Sequence, residues 1–197
     1  MYDLMTEFLN FLGIALKNVD EKYWNVHSAE DEDFIRERVF CYELYHEMRK
    51  LQENDKGGIK YPTFSNIDLY AEPDKRGWAK LKPDEKKNPD FIFHKKANSN
   101  NLIVMEVKGN ENGDIKKDFD TLTAFLSEKN YLKYKYGIFL LYGKTMTVAK
   151  NKIQGIKIEP GYEEKIIVIT QENKQAEMKW ETLKSVLEEH KNVYSNL

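Results

Sequence analysis

The sequence of 197 residues predicts an α/β fold, a mixed central β-sheet with helices on both faces. Three observations carry that prediction. Two segments with helical apolar spacing, 1–17 and about 31–54, precede the first strand-like run. A pair of runs, 90–94 and 102–107, flanks Asn98-Ser-Asn-Asn101, a hairpin-type connection. Leu102–Val107 and Tyr136–Tyr142 are nearly continuous in apolar residues, as strands buried on both faces are, with an amphipathic stretch between them.

Met1 to Lys17 repeats Leu4, Met5, Phe8, Leu9, Leu12 and Leu16 at helical spacing. Asn18 to Ser28 reads as a linker anchored by Tyr23, Trp24 and Val26, and Ser28-Ala-Glu-Asp31 as a capping box. The second helix, about Asp31 to Asn54, sets Phe40, Leu44, Met48 and Leu51 on one stripe, with Phe34 and Cys41 at its edge. Glu37 falls within that stripe, with Glu43 and Glu47 on its flank. Gly57-Gly58 ends the pattern. A strand is expected at Asn66–Ala71, an exposed loop over 72–88, strands at 90–94 and 102–107, and a helix at Asp114–Lys129. Further strands are expected at 136–142, 145–149 and 165–170, with a closing helix at 175–192. The domain reading is one unit over 1–197: an N-terminal helical extension (1–30), a core (31–142), and C-terminal strands and helix (143–197).

Composition narrows the function classes. Charged residues make up 32% with both signs interspersed, and the net charge of −2 lacks the basic bias of a nucleic-acid coat protein. Contact with nucleic acid would therefore come from local Lys-rich surfaces such as Lys86-Lys87 and Lys116-Lys117. A single cysteine, Cys41, excludes an intrachain disulfide and a multi-cysteine zinc site. No apolar run approaches the roughly 20 residues of a membrane span. The acidic N-terminus does not read as a signal peptide, so the expected location is cytoplasmic with no membrane association.

One constellation carries chemistry. Pro89-Asp90 opens one strand of the hairpin and Glu106-Val-Lys108 closes the other. Residues i and i+2 of a strand share a face, so Glu106 and Lys108 point the same way. The start of one antiparallel strand lies beside the end of its partner, which brings Asp90 to them. Glu37 is a carboxylate on a helix face that packing would bury, costly unless paired, protonated or metal-bound. Two carboxylates and a lysine at one sheet end suit a hard divalent cation such as Mg²⁺, with Mn²⁺ as substitute. A lone Glu-x-Lys is more often a solvated pair; the weight lies in the combination and its order. Glu72 and Lys75 form a second charged concentration before the Pro-Asp strand. His94 shares the face of Asp90 by parity. With Glu43, these are further cleft candidates.

This layout resembles the PD-(D/E)XK nuclease superfamily, as a small member of prokaryotic type. The resemblance covers about Asp31 to Tyr142: Glu37, Pro89-Asp90, Glu106-Val-Lys108, the Asp118-Phe-Asp-x-Leu helix and the Tyr-Gly-Ile-Phe-Leu-Leu strand. It implies a restriction-endonuclease-like fold and a hydrolase, a Mg²⁺-dependent nuclease cutting phosphodiesters in DNA rather than RNA. Asp90, Glu106 and Glu37 would bind the metal, Lys108 would serve the attacking water, and all four would be catalytic. Cutting both strands of a duplex takes two sites, which makes a homodimer plausible. Two alternatives stay open: a catalytically silent nuclease-fold binding protein within a larger defence or repair assembly, and a purely structural ion-pair network. The last predicts that Asp90→Ala lowers stability; crowded metal ligands without metal predict the reverse.

Overall fold

A computed structural model describes residues 4–26, 36–55, 57–73, 87–95, 100–109, 115–129 and 131–194. Its architecture is α/β, a six-stranded mixed sheet flanked by helices. The elements in chain order are α1 (Leu4–Asn18), α2 (Glu37–Asn54), β1 (Asp68–Ala71), β2 (Phe91–Lys95), β3 (Asn100–Lys108), α3 (Ile115–Leu126), β4 (Tyr136–Tyr142), α4 (Met146–Ile153), β5 (Ile166–Gln171), β6 (Lys179–Thr182) and α5 (Leu183–Tyr194). The strands lie in sequence order across the sheet. β1, β2 and β3 form an antiparallel meander, β3, β4 and β5 run parallel, and β6 returns antiparallel on β5. The expected capping box at Ser28–Asp31, Phe34, and Lys75 lie outside the described residues.

The period-two pattern of the strands divides the interior into two layers. On one face Phe91, Phe93, Ile103, Met105, Val107, Ile138, Leu140, Ile167 and Ile169 pack under α1 and α2. On the other, Ile92, Val104, Phe139, Leu141, Ile166 and Val168 pack against α3, α4 and α5. The helical spacing of 1–17 becomes the buried row Met5, Phe8, Leu9, Phe11, Leu12, Ala15 and Leu16. The expected linker anchor is real at Trp24, which is buried edge-on to Phe40 and Tyr142. Tyr134, in a run of alternating Lys and Tyr, is buried against Phe125.

Two C-terminal elements differ from expectation. The 145–149 segment, expected as a strand, is α4. Parallel neighbours β4 and β5 need a crossover that carries the chain back to the same sheet end, and a helix supplies it. Met146, Ala149 and Ile153 recur at helical spacing and are buried, which outweighs the β-branched Thr147 and Val148. Thr145 is the cap, its hydroxyl accepting from Val148 N–H at 3.2 Å. The expected helix over 175–192 begins only at Leu183, because Lys179–Thr182 pairs with the outer edge of β5. The helix start is then capped by Thr182, whose hydroxyl accepts from Ser185 N–H.

The cap gives a direct check on α4. Thr145→Val keeps the shape and β-propensity but removes the acceptor, and is expected to cost about 1 kcal/mol in urea unfolding. A neutral or stabilising result would contradict the helix start.

Candidate active site

The register of the β2–β3 hairpin builds the site. Phe91 pairs with Met105 and Ile92 with Val104, so the next position in the same register sets Asp90 opposite Glu106. Ile92 and Val104 belong to the α3 layer, and by the same parity Asp90, Glu106 and Lys108 face that side. Asp90 also braces the hairpin, its Oδ2 accepting from Val107 N–H at 2.7 Å. At the end of β3 two helix starts converge. Glu37, the first residue of α2, accepts from Gly109 N–H at 2.9 Å through Oε2 and lies 3.5 Å from Lys108 Nζ through Oε1. Asp118, in the first turn of α3, lies 3.3 Å from Lys108 Nζ through Oδ2, an ion pair rather than a well-directed hydrogen bond.

These side chains line a cleft of about 460 Å³, together with Lys87, Asn88, Lys117 and Thr121. Its floor is acidic, and Lys87 and Lys117 add positive charge to its walls. The backbone at its base is closely fitted. A Cβ on Gly109 would run into the ring of Tyr142, which stacks on Phe40 with centroids 3.7 Å apart. Glycine at 109 is what lets the β3 end pass beneath that ring and offer its N–H to Glu37.

The electrostatics follow from burial and like charge. Burial pushes the Asp90 carboxyl up to about 6, against the opposing pull of the Val107 N–H. Glu106, 6% exposed, is pushed well above the usual carboxylate range, by burial first and then by the Asp90 and Asp118 charges. Both carboxyls of the pair are thus shifted toward the protonated form. Burial raises Asp118 too, against the pull of Lys108. Burial alone would lower Lys108, but Glu37 and Asp118 outweigh it and hold the ammonium above its ordinary value.

Glu37, Asp90, Glu106 and Lys108, expected together from the sequence, line this one cleft. The other candidates stand elsewhere. Glu72 lies outside the lining, its carboxylate held by Arg38 at 2.9 Å, although its N–H bonds the Asp90 carbonyl at 2.8 Å. Glu43 is half-buried on α2 and outside the lining. His94 keeps the face of Asp90, against the Tyr70 ring, but it stands near the far end of β2 and outside the cleft lining. Glu47, placed on the helix flank, is buried and paired with Lys50 at 2.7 Å.

Asp118 was the residue to find. It sits three positions after Ile115 and four before Leu122, on the apolar side of α3, the same anomaly that singled out Glu37. Among the described residues no three Asp, Glu, His or Cys side chains form a ready-made metal cage. Glu37, expected as a third ligand, has both oxygens engaged by Lys108 and Gly109. The remaining pair still fits a hard divalent cation. Two buried carboxyls set side by side by the hairpin register are oxygen donors of the kind Mg²⁺ takes, with waters completing its shell.

Comparison with known protein families, with characterised proteins and with solved structures returns no match.

Two predictions follow from the geometry. In the metal-free fold, Asp90 and Glu106 bind protons more tightly than in the unfolded chain, so their contribution to stability is complete below the ordinary carboxylate range near pH 4. It is lost as pH rises through about 6 for Asp90 and through the raised range of Glu106. The melting temperature in EDTA should thus fall between pH 5 and 8. Glu106→Gln should flatten that slope and raise the pH 8 midpoint by roughly 2–5 °C. A wild-type midpoint that rises over the window would refute the raised proton affinity of the pair. Gly109→Ala should lower the midpoint by more than Glu37→Gln does, because it displaces Tyr142 as well as the Glu37 hydrogen bond. Equal or smaller loss would show that the ring yields.

Proposed function

We propose that this protein is a metal-dependent nuclease that hydrolyses phosphodiester bonds, with DNA as substrate ahead of RNA. The observation that carries the reading is the meeting of Asp90, Glu106, Lys108 and Glu37 from three elements at one end of a buried sheet. The order α2, β1, β2, β3, α3, β4, an antiparallel meander followed by a parallel crossover, supports a restriction-endonuclease-like fold.

Asp90 and Glu106 would hold Mg²⁺ or Mn²⁺ in their ionised forms. The bound cation supplies charge for a phosphoryl oxygen and a water of lowered pKa. The chain does the rest by placement. Lys108, cationic and fixed at the cleft floor, donates toward the phosphate and orients the attacking water. Glu37 acts through Lys108 and through the Gly109 N–H. Lys87 and Lys117 face the backbone of a strand entering the cleft. A negative net charge elsewhere restricts that attraction to short range.

Purified wild type and Glu106→Ala, incubated with labelled single-stranded and duplex DNA in Mg²⁺, Mn²⁺ or EDTA, test this reading. Cleavage is expected to require metal and to drop by more than about 100-fold in the variant. Activity that survives Glu106→Ala would locate the chemistry elsewhere. DNA binding without cutting would instead make the chain a silent nuclease-fold binding protein.

A further inference from the structure

We infer that Asp118 is the positioning residue for Lys108, clamping its ammonium against Glu37 so that the lysine meets the reacting phosphate in one fixed orientation. The inference rests on the nuclease reading above.

The argument begins with what one contact leaves undone. A lysine carries a compact charge on a flexible four-carbon stem. A single ion pair at 3.5 Å, the Glu37 contact, leaves that stem several rotamers. Asp118 approaches from a different element. Lys108 projects from β3 toward the α3 layer, Glu37 belongs to α2 on the opposite layer, and Asp118 belongs to α3 itself. With a carboxylate from each helix, at 3.5 and 3.3 Å, the ammonium is held from two directions. Its side chain is 15% exposed, so it retains one open side, toward the cleft.

Packing does not explain the carboxylate. Phe119, Leu122, Phe125 and Leu126 already bury α3 on the sheet. Asp118 is 8% exposed on that same side, where an apolar residue would avoid the desolvation of a charge. Its Oδ2 makes no well-directed hydrogen bond among the described residues and faces Lys108. A charge kept buried at a cost, with a cleft lysine as its partner, is what a positioning role requires.

The test uses the full chain, with Asp118→Asn as an isosteric neutral variant and Asp118→Glu as the conservative one. The first readout needs no turnover. Lysine side chains labelled with ¹⁵N at Nζ should give a slowly exchanging Lys108 ammonium signal in EDTA, assigned by its loss in Lys108→Arg. The signal should vanish in Asp118→Asn and return in Asp118→Glu. The second readout is cleavage of a labelled oligonucleotide in Mg²⁺. Asp118→Asn should lower kcat by about 10- to 100-fold with KM within about 3-fold of wild type, and Asp118→Glu should recover most of it. A Lys108 signal that survives Asp118→Asn would overturn the inference, as would an unchanged kcat in an active enzyme. If Asp118→Asn fails to fold, Asp118→Glu decides alone: a Lys108 signal and kcat close to wild type support the clamp, and loss of either refutes it. A wild type that cuts nothing would overturn the nuclease reading, and the clamp's catalytic purpose with it.

Discussion

The register between β2 and β3 is the constraint on which the rest depends. A slip of one residue would exchange Phe91 and Phe93 with Ile92, and Ile103 and Met105 with Val104, turning each apolar set toward the wrong layer. Both layers are filled with aromatic and branched side chains, so neither tolerates the exchange. The same pairing that satisfies the cores sets Asp90 opposite Glu106 at the hairpin's open end. The carboxylates need no attraction for one another. They are carried together by hydrophobic burial on both sides of the sheet, and the Val107 N–H keeps Asp90 turned inward.

That arrangement is unfavourable by itself. Each carboxylate loses water, and like charge adds to this: Glu37 raises the proton affinity of Asp90, and Asp90 that of Glu106. A fold selected for stability alone would place an apolar or hydrogen-bonded neutral pair there, because replacing buried charges with well-packed neutral groups is often neutral or stabilising. Lys108 lowers the proton affinity of both without offsetting their burial, and its ion pairs are with Glu37 and Asp118. The cleft lining holds four carboxyl groups and three ammonium groups among the described residues, and a divalent cation would offset the charge of the buried Asp90 and Glu106. Strain of this kind is tolerated where the surrounding structure over-determines the geometry, as the two cores do here.

How much of this was legible depends on whether the signal is local. The α1 and α2 stripes, the apolar runs of β3 and β4, and the hairpin from Asp90 to Val107 are periodic patterns, and the sheet with helices on both faces follows from them. Asp90, Glu106 and Lys108 were legible because strand parity and hairpin pairing are short-range rules. Glu37 was legible as an anomaly on an apolar face, although its partners proved to be Lys108 and a backbone N–H. The anomaly at Asp118 has the same form but sits in a shorter helix among stronger apolar residues, which hid it. Thr145–Ala149 misled because its β-branched residues suggest a strand, while the requirement that decides it, a return path between parallel strands, is non-local. His94 misled because parity fixes the face of a strand residue and not its distance along the strand, and it stands near the far end of β2 from Asp90.

The lysine clamp joins both layers to the sheet. Glu37 comes from the layer that α1 and α2 build, Asp118 from the layer that α3, α4 and α5 build, and Lys108 from the sheet between them. The ammonium is therefore positioned only when both layers are packed on the sheet. Gly109 adds the same dependence in the backbone, since the Glu37 hydrogen bond needs the close passage beneath Tyr142, and Tyr142 is itself fixed by stacking on Phe40 of α2. A loosening of either layer would release one arm of the clamp while leaving Asp90 and Glu106 paired through their own register. The cleft thus has two separable parts: an acid pair set by the hairpin alone, and a lysine set by the whole three-layer fold. Under the nuclease reading the first part holds the cation and the second aims the reaction, so changes far from the cleft would be felt first through Lys108.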